Sequence, residues 1–308
     1  MRRAIAYGRE PETPFAPRRA LGLAALFLAA LFVTLSAPPA PASLKPLPPL
    51  PAQTELTPLQ SEIRALRARL SSAKVEERRD ALMRLGAIRR PESSRAAAAA
   101  LGDPSAIVRA TAAHAVLSLG ADEAAALVLP LLGDRDEFVR REAAYALGQT
   151  RSPSGVGALV AAVESDKKPS VRGAAAVALG EIGDATAVPA LAAALSGRPQ
   201  GSQNRARRRK AEEDEFVRRA ASVSLGQIGS RDAVPALVGA LADERAPADV
   251  RRESARSLGL IGDARAVTAL RAVLTAKDPY LARAAFEALL KIDPQNARRP
   301  DKIILRAS

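Results

Sequence analysis

The sequence predicts an all-α fold: an α-solenoid of about seven helix–turn–helix repeats, preceded by one N-terminal transmembrane or signal helix. Three observations predict it. A Val-Arg pair returns at Val108-Arg109, Val139-Arg140, Val171-Arg172, Val217-Arg218 and Val250-Arg251, and Glu77-Arg78 and Leu281-Ala282 hold the same place in two weaker copies. The successive intervals are 31, 31, 32, 46, 33 and 31 residues, so one interval carries an insertion of about half a repeat. Ahead of the repeats, an uncharged run of 18 residues, Ala20 to Ala37, follows Arg18 and Arg19.

Taken from the N-terminus, residues 1–19 are basic, with Arg2, Arg3 and Arg9 joining Arg18 and Arg19. Basic residues before an apolar run keep the N-terminus in the cytoplasm and send the rest across the membrane. Residues 20–37 are just long enough to span. They read as an anchor or as a signal cleaved at Ala40-Pro41-Ala42, leaving Ser43 first. The expected location is a bacterial cytoplasmic membrane, single-pass with the repeats outside, or secretion after cleavage near Ala42. Residues 38–56 include Pro38, Pro39, Pro41, Pro46, Pro48, Pro49 and Pro51. Such a segment favours an extended spacer of about 3.1 Å per residue. A helix follows over residues 57–72. Thr57 caps it, Pro58 suits its first position and Gln60 completes a capping box. Leu59, Ile63, Leu66 and Leu70 give it one apolar face, which is expected to cap the first repeat.

Residues 73–293 are the repeats. Ala175, Ala178, Leu179 and Ile182 illustrate the helical period of each first helix. Gly120, Gly183, Gly229 and Gly262 stand where that helix ends, a place for positive φ. Asp184 or Asp263 follows, and then a second short helix marked by Ala125, Val156, Val188, Val234 and Val267. Another glycine class, Gly86, Gly148, Gly180, Gly226 and Gly259, lies inside the first helix. Glycine costs about 1 kcal/mol there against alanine, so these positions are expected to serve close packing. One unit cannot bury its apolar face alone, and stacked neighbours can. Residues 198–214 read as an inserted Arg-rich loop and residues 294–308 as a C-terminal tail.

The texture of these copies, V-R-x-x-A-A-x-A-L-G-x-I-G-D followed by A-V-P-A-L-x-x-A-L, resembles the HEAT-like repeats of the phycobilin-lyase type over about residues 75–293. The resemblance implies the stacked fold. It leaves function open, because that family includes scaffolds, lyase subunits and regulators. Phycobilin lyases work on cytoplasmic proteins, so the export segment counts against a lyase-like enzyme or enzyme subunit acting on a protein partner.

Composition narrows the chemistry. Hydrophobic residues make up 48% but aromatic ones only 3%, as an Ala-rich solenoid requires. The absence of Cys excludes disulfides, zinc-thiolate sites, cysteine nucleophiles and a lipidated-Cys anchor. His114 is the one histidine, and its position in other copies holds Met83, Tyr145, Val177, Val223, Arg256 and Glu287. A zinc or di-iron site made of His ligands is therefore excluded, and His114 reads as a partly exposed helix residue. No catalytic residue, metal ligand, cofactor or small-molecule substrate is predicted. The net charge of +13 favours anionic partners. With so few aromatics, nucleic-acid binding by base stacking is poorly supported. Phe138, Phe216 and Tyr280 share one repeat position, which points to packing.

Two basic sets remain. Arg109, Arg140, Arg172, Arg218 and Arg251 form a ladder, with Asp103, Asp134, Asp136, Asp166, Asp214, Asp243, Asp249 and Asp278 nearby. The acids are expected to cap first helices while the arginines bridge adjacent repeats; a basic stripe read by a ligand is the alternative. The insertion GRPQGSQNRARRRKAEEDE carries Arg205, Arg207, Arg208, Arg209 and Lys210, a candidate contact for an anion or a partner. The function expected from all this is a non-catalytic protein-binding scaffold or adaptor, membrane-tethered or exported. An anionic-surface binder acting through the Arg-rich segment is the other reading.

Overall fold

A computed structural model describes residues 56–197 and 205–297, the side chains of residues 205–214 excepted. The basic N-terminus, the apolar run 20–37, the Pro-rich segment up to residue 55, residues 198–204 and the tail from 298 lie outside the described residues. Among the described residues, no helix is long and apolar enough to cross a membrane. The described residues fall in one compact unit.

The opening helix α1 (Pro58–Arg69) starts as predicted. Thr57 Oγ1 accepts from the Gln60 amide at 3.2 Å, and Gln60 Oε1 accepts from the Thr57 amide at 2.9 Å. It buries Ile63 and Leu66 and packs on the first repeat. The first helices are α2 (Val75–Ile88), α4 (Ala106–Ala115), α6 (Glu137–Thr150), α8 (Pro169–Ile182), α10 (Arg205–Ile228), α12 (Ala248–Ile261) and α14 (Pro279–Ile292). Between them lie the second helices α3 (Pro91–Ala97), α5 (Ala121–Val128), α7 (Val156–Ser165), α9 (Val188–Ser196), α11 (Val234–Ala242) and α13 (Val267–Ala272). Each first helix packs on the next first helix. From α5 onward, each second helix packs mainly on the following first helix, so the packed hairpins run out of phase with the sequence repeat. The α1–α2 hairpin is the same arrangement, which is why the chain needs α1.

The first helices meet at a small seam. The interior glycine of one copy, nine residues after its Val, faces the residue seven after the Val of the next copy. A Cβ on Gly180 would lie 2.8 Å from Ser224 Cα, and the same approach recurs at Gly148–Ala178, Gly226–Ser257 and Gly259–Ala288. Real Cβ atoms do not come that close to a backbone atom, so the glycine is obligatory there. Ser224 Oγ also donates to the Ala176 carbonyl at 2.7 Å, and Ser257 Oγ to the Ser222 carbonyl at 2.8 Å, so the polar seam residues are satisfied.

Copy 2 has Leu117 at the glycine position. There α4 stops at Ala115 and the chain turns, with Ser94 Oγ donating to the Ala115 carbonyl at 2.8 Å. This corrects the reading of Gly120. Its φ is −57° because it precedes α5 as an N-cap and does not close α4. Gly183, Gly229 and Gly262 take positive φ as expected, and Arg89 and Arg151 occupy the same place in copies 1 and 3 at φ 52° and 54°.

The insertion is also corrected. The cluster from Arg205 to Lys210 is not in a loop but at the start of α10, which has 24 residues against 14 in α6, α8 and α12. Arg, Ala, Lys and Glu are strong helix formers, and Arg208, Arg209 and Lys210 precede Glu212, Glu213 and Asp214 by four. The ten extra residues add about 15 Å of helix.

Both ends are closed by side chains. Arg84 stands at the seam position where later copies have Ala or Ser, and it pairs with Asp80. Leu290 stands at the glycine position of the last copy, 43% exposed, beside the Arg283–Glu287 pair at 2.7 Å. Polar or obstructive outer faces are what terminal repeats need.

Gly180→Ala should destabilise the stack by about 1–3 kcal/mol, whereas Gly239→Ala, with open space around it, should stabilise it by about 0.5–1 kcal/mol. Urea unfolding of both variants checks this. In the same assay, Arg151→Gly should gain about 0.5–1 kcal/mol by relieving a left-handed non-glycine residue.

Candidate functional site

One edge of the stack, at the N-terminal ends of the first helices, concentrates its polar groups. Arg78 Nε and Nη2 donate to Asp103 at 2.7 and 2.9 Å, Arg109 to Asp134 at 2.7 and 2.8 Å, and Arg140 to Asp166 at 2.8 and 3.1 Å. The remaining nitrogen, Nη1, reaches back to the carbonyl six residues earlier. Arg109 thus donates to Asp103 O at 2.7 Å, Arg140 to Asp134 O at 3.0 Å and Arg172 to Asp166 O at 3.0 Å. Each Asp also accepts the backbone amide two residues on, at 2.8 Å from Ser105, Asp136 and Lys168. Arginine suits this place because its planar fork serves a carboxylate and a carbonyl together. The result is an unbroken chain of charge-assisted bonds from copy 1 to copy 4.

These bonds hold the carboxyls acidic. Arg109 is the main cause at Asp134, aided by the Asp136 amide, and it outweighs burial. At Asp103 and Asp166 burial is the largest influence and pushes upward. The arginine and amide bonds together overcome it, so both pKa values lie below the usual carboxylate range.

Beyond copy 4 the ladder changes register. The acids of copies 2 to 4 sit five residues before the Val, but Asp243 sits seven before Val250 and Asp278 three before Leu281. Arg218 donates to the Leu195 carbonyl at 2.8 Å and lies 3.8 Å from Asp243. Arg251 bridges to the preceding copy through a carbonyl, donating to Leu241 O at 3.0 Å, and the carboxylate of Asp278 is reached by Arg252 at 2.8 Å. Sequence spacing alone could not choose between two adjacent arginines. The capping expectation also divides. Asp136 and Asp278 do cap α6 and α14. Asp103, Asp134 and Asp166 lie upstream of their caps and serve the ladder. Asp249 lies inside α12 and pairs with Arg252 at 2.8 Å; the side chain of Asp214 is outside the described residues.

The other singled-out residues are accounted for. His114 Nε2 lies 3.1 Å from Glu142, its side chain 35% exposed. Phe216 lies against Gly173, and Phe138 is half-buried beneath Arg141. Tyr280 departs from the packing expectation, being 65% exposed with Arg252 over its ring at 5.1 Å. Among the described residues, no cluster of His, Asp or Glu could hold a metal ion.

The second helices carry exposed charges at Asp122, Glu123, Glu164 and Arg271, but two of their exposed rows are free of charge. Ala126, Gly157, Pro189, Pro235 and Thr268 make one exposed row, and Pro130, Ala161, Ala193, Gly239 and Ala272 make another. Neither contains a charge.

A family profile described as HEAT repeats matches residues 63–147, 126–211 and 201–291. No curated protein sequence is a significant match. Similar solved structures include YibA of Escherichia coli, at 20% identity and a TM-score of 0.49 over 78% of this chain and 88% of that one. The CpcE–CpcF complex of phycocyanin lyase from Nostoc sp. PCC7120 matches at 24% and 0.44, over 82% and 93%. Human deoxyhypusine hydroxylase matches at 22% and 0.38, over 76% and 97%. Likenesses this distant say nothing about activity.

Asp134→Asn should cost about 2–3 kcal/mol, because it leaves Arg109 without its carboxylate at a poorly exposed site. The parent's ladder contribution is full above the unfolded carboxylate pKa of about 4 and is lost as pH falls through the lower folded values. Stability measured from neutral to strongly acidic pH should therefore fall less steeply below about pH 4 in Asp134→Asn than in the parent.

Proposed function

The chain belongs to the HEAT-repeat family, and we propose that it acts as a non-catalytic protein-binding scaffold or adaptor. The observation that carries this reading is how the polar groups are used. The arginines and aspartates of the ladder edge are consumed in joining repeats, while the second helices offer two exposed rows of small uncharged residues across five repeats. Extended surfaces of stacked repeats suit protein partners.

The proposal includes a location. The run 20–37 after Arg18 and Arg19 supports a tether in a bacterial cytoplasmic membrane with the repeats outside, or release after Ala42. A second reading, contact with an anionic surface, is favoured by the basic residues at the start of α10.

Membrane fractionation with N-terminal sequencing and protease access on spheroplasts tests the location. The expected result is a membrane-bound chain that keeps Met1 and whose repeats are cleaved from outside. A chain starting near Ser43 in the soluble fraction would make it a free exported binder, and repeats protected inside the cell would overturn the topology. Site-specific photo-crosslinking from the second-helix face, at Ala161 or Ala193, should trap a discrete protein adduct. No adduct from either position would overturn the scaffold reading.

A further inference from the structure

The first helices of copies 3 to 5 carry a surface that neither the ladder nor the seam uses. Tyr145 and Gln149 on α6, Val177 and Glu181 on α8, and Val223 and Gln227 on α10 stand four residues apart, so each pair shares one helix face. Side by side, half-buried Tyr145, Val177 and Val223 make an apolar row, and exposed Gln149, Glu181 and Gln227 make a polar row beside it. The pattern stops on both sides. The apolar row gives way to His114 and Arg256, and the polar row to Ser118 and Leu260.

The seam makes room for the polar row. Glu181 lies over Gly148 and Gln227 over Gly180, each in space that a Cβ on the glycine would take. Among the described residues, Gln149, Glu181 and Gln227 make no hydrogen bond or ion pair. Burial pushes the Glu181 pKa up, while Arg151 draws it down without forming a salt bridge. Arg141 and Arg219 lie one turn beyond the apolar row, on the side away from Glu181, and Arg141 is paired with Glu142 at 2.9 Å.

We propose that this patch binds an extended segment of a partner protein, through a Lys or Arg side chain that pairs with Glu181. A carboxylate set among apolar side chains repels phosphate groups and attracts a cation that brings its own hydrogen-bond donors. The two glutamines favour an extended chain over a helix. A helix bonds its own backbone, whereas an extended chain needs outside donors and acceptors, and a side-chain amide offers both. Adjacent first helices lie about 8–10 Å apart, so three of them match about five or six residues of extended chain at about 3.3 Å each. Apolar side chains flanking the basic residue rest on Tyr145, Val177 and Val223. The proposal rests on the scaffold reading and adds a contact surface on the other set of helices.

The test selects short random peptides from a displayed library on the full chain in neutral detergent. At a net charge of +13, nonspecific attraction enriches acidic peptides. The expected result is the opposite, Lys or Arg between apolar residues, and selection on Glu181→Lys should lose that preference. In fluorescence anisotropy with the best basic peptide, Glu181→Gln should bind about tenfold or more weakly. The double variant Gln149→Ala, Gln227→Ala should also lose affinity. Glu164→Gln, which neutralises an exposed acid on α7, should bind like the parent, and every variant should keep the parent's thermal transition. Acidic peptides or no enrichment on the parent, or equal binding by Glu181→Gln, would overturn the proposal. Photo-crosslinking from Ala161 and Ala193 separates the two readings: an adduct there with no basic peptide here sinks this patch and leaves the scaffold standing, while no adduct there sinks the scaffold.

Discussion

Everything in this stack follows from how closely one first helix approaches the next. The distance is set by a glycine on one side and an alanine or serine on the other. At Gly180 and Ser224 a single methyl would have no room. Close approach brings the backbones together, and that lets Ser224 and Ser257 satisfy their hydroxyls on carbonyls of the neighbouring helix. The ladder runs alongside the seam, with Arg109 and Arg140 spanning one repeat each in bidentate geometry.

Where the seam rule is broken, the local structure changes with it. Leu117 replaces glycine, α4 ends early and Gly120 changes from a helix stop to a helix start. Where loop lengths change, the ladder changes instead. Two extra residues before Val250 pull Asp243 away from Arg218, and the shift of Asp278 recruits Arg252. Seam and ladder thus fail independently: α10 and α12 keep their glycine contact even where the ionic bridge has been rearranged.

Much of this was legible in the sequence, because both devices are periodic. Repeat length, interior glycines, the Thr57–Gln60 box and inter-repeat use of the arginines all follow from spacing that any reader can count. What was not legible depends on geometry that spacing does not carry. Arg251 and Arg252 are adjacent, and only the path of the loop decides which one faces Asp278. The phase of the packed hairpins is equally hidden, since α7 packs on α8 although the repeat pattern joins it to α6. The insertion looked like a loop because it interrupts the repeat, yet its composition is that of a helix, and propensity prevailed over the expectation that insertions are irregular.

The two closures have an evolutionary consequence. Each of copies 3 to 6 offers glycine to the copy after it and a small residue to the copy before it, so a duplicate of one of these units would find matching seams on both sides. An added unit at either end would not: it would have to pack on Arg84 or on Leu290. The number of repeats can therefore grow by duplication from within but not by accretion at the tips.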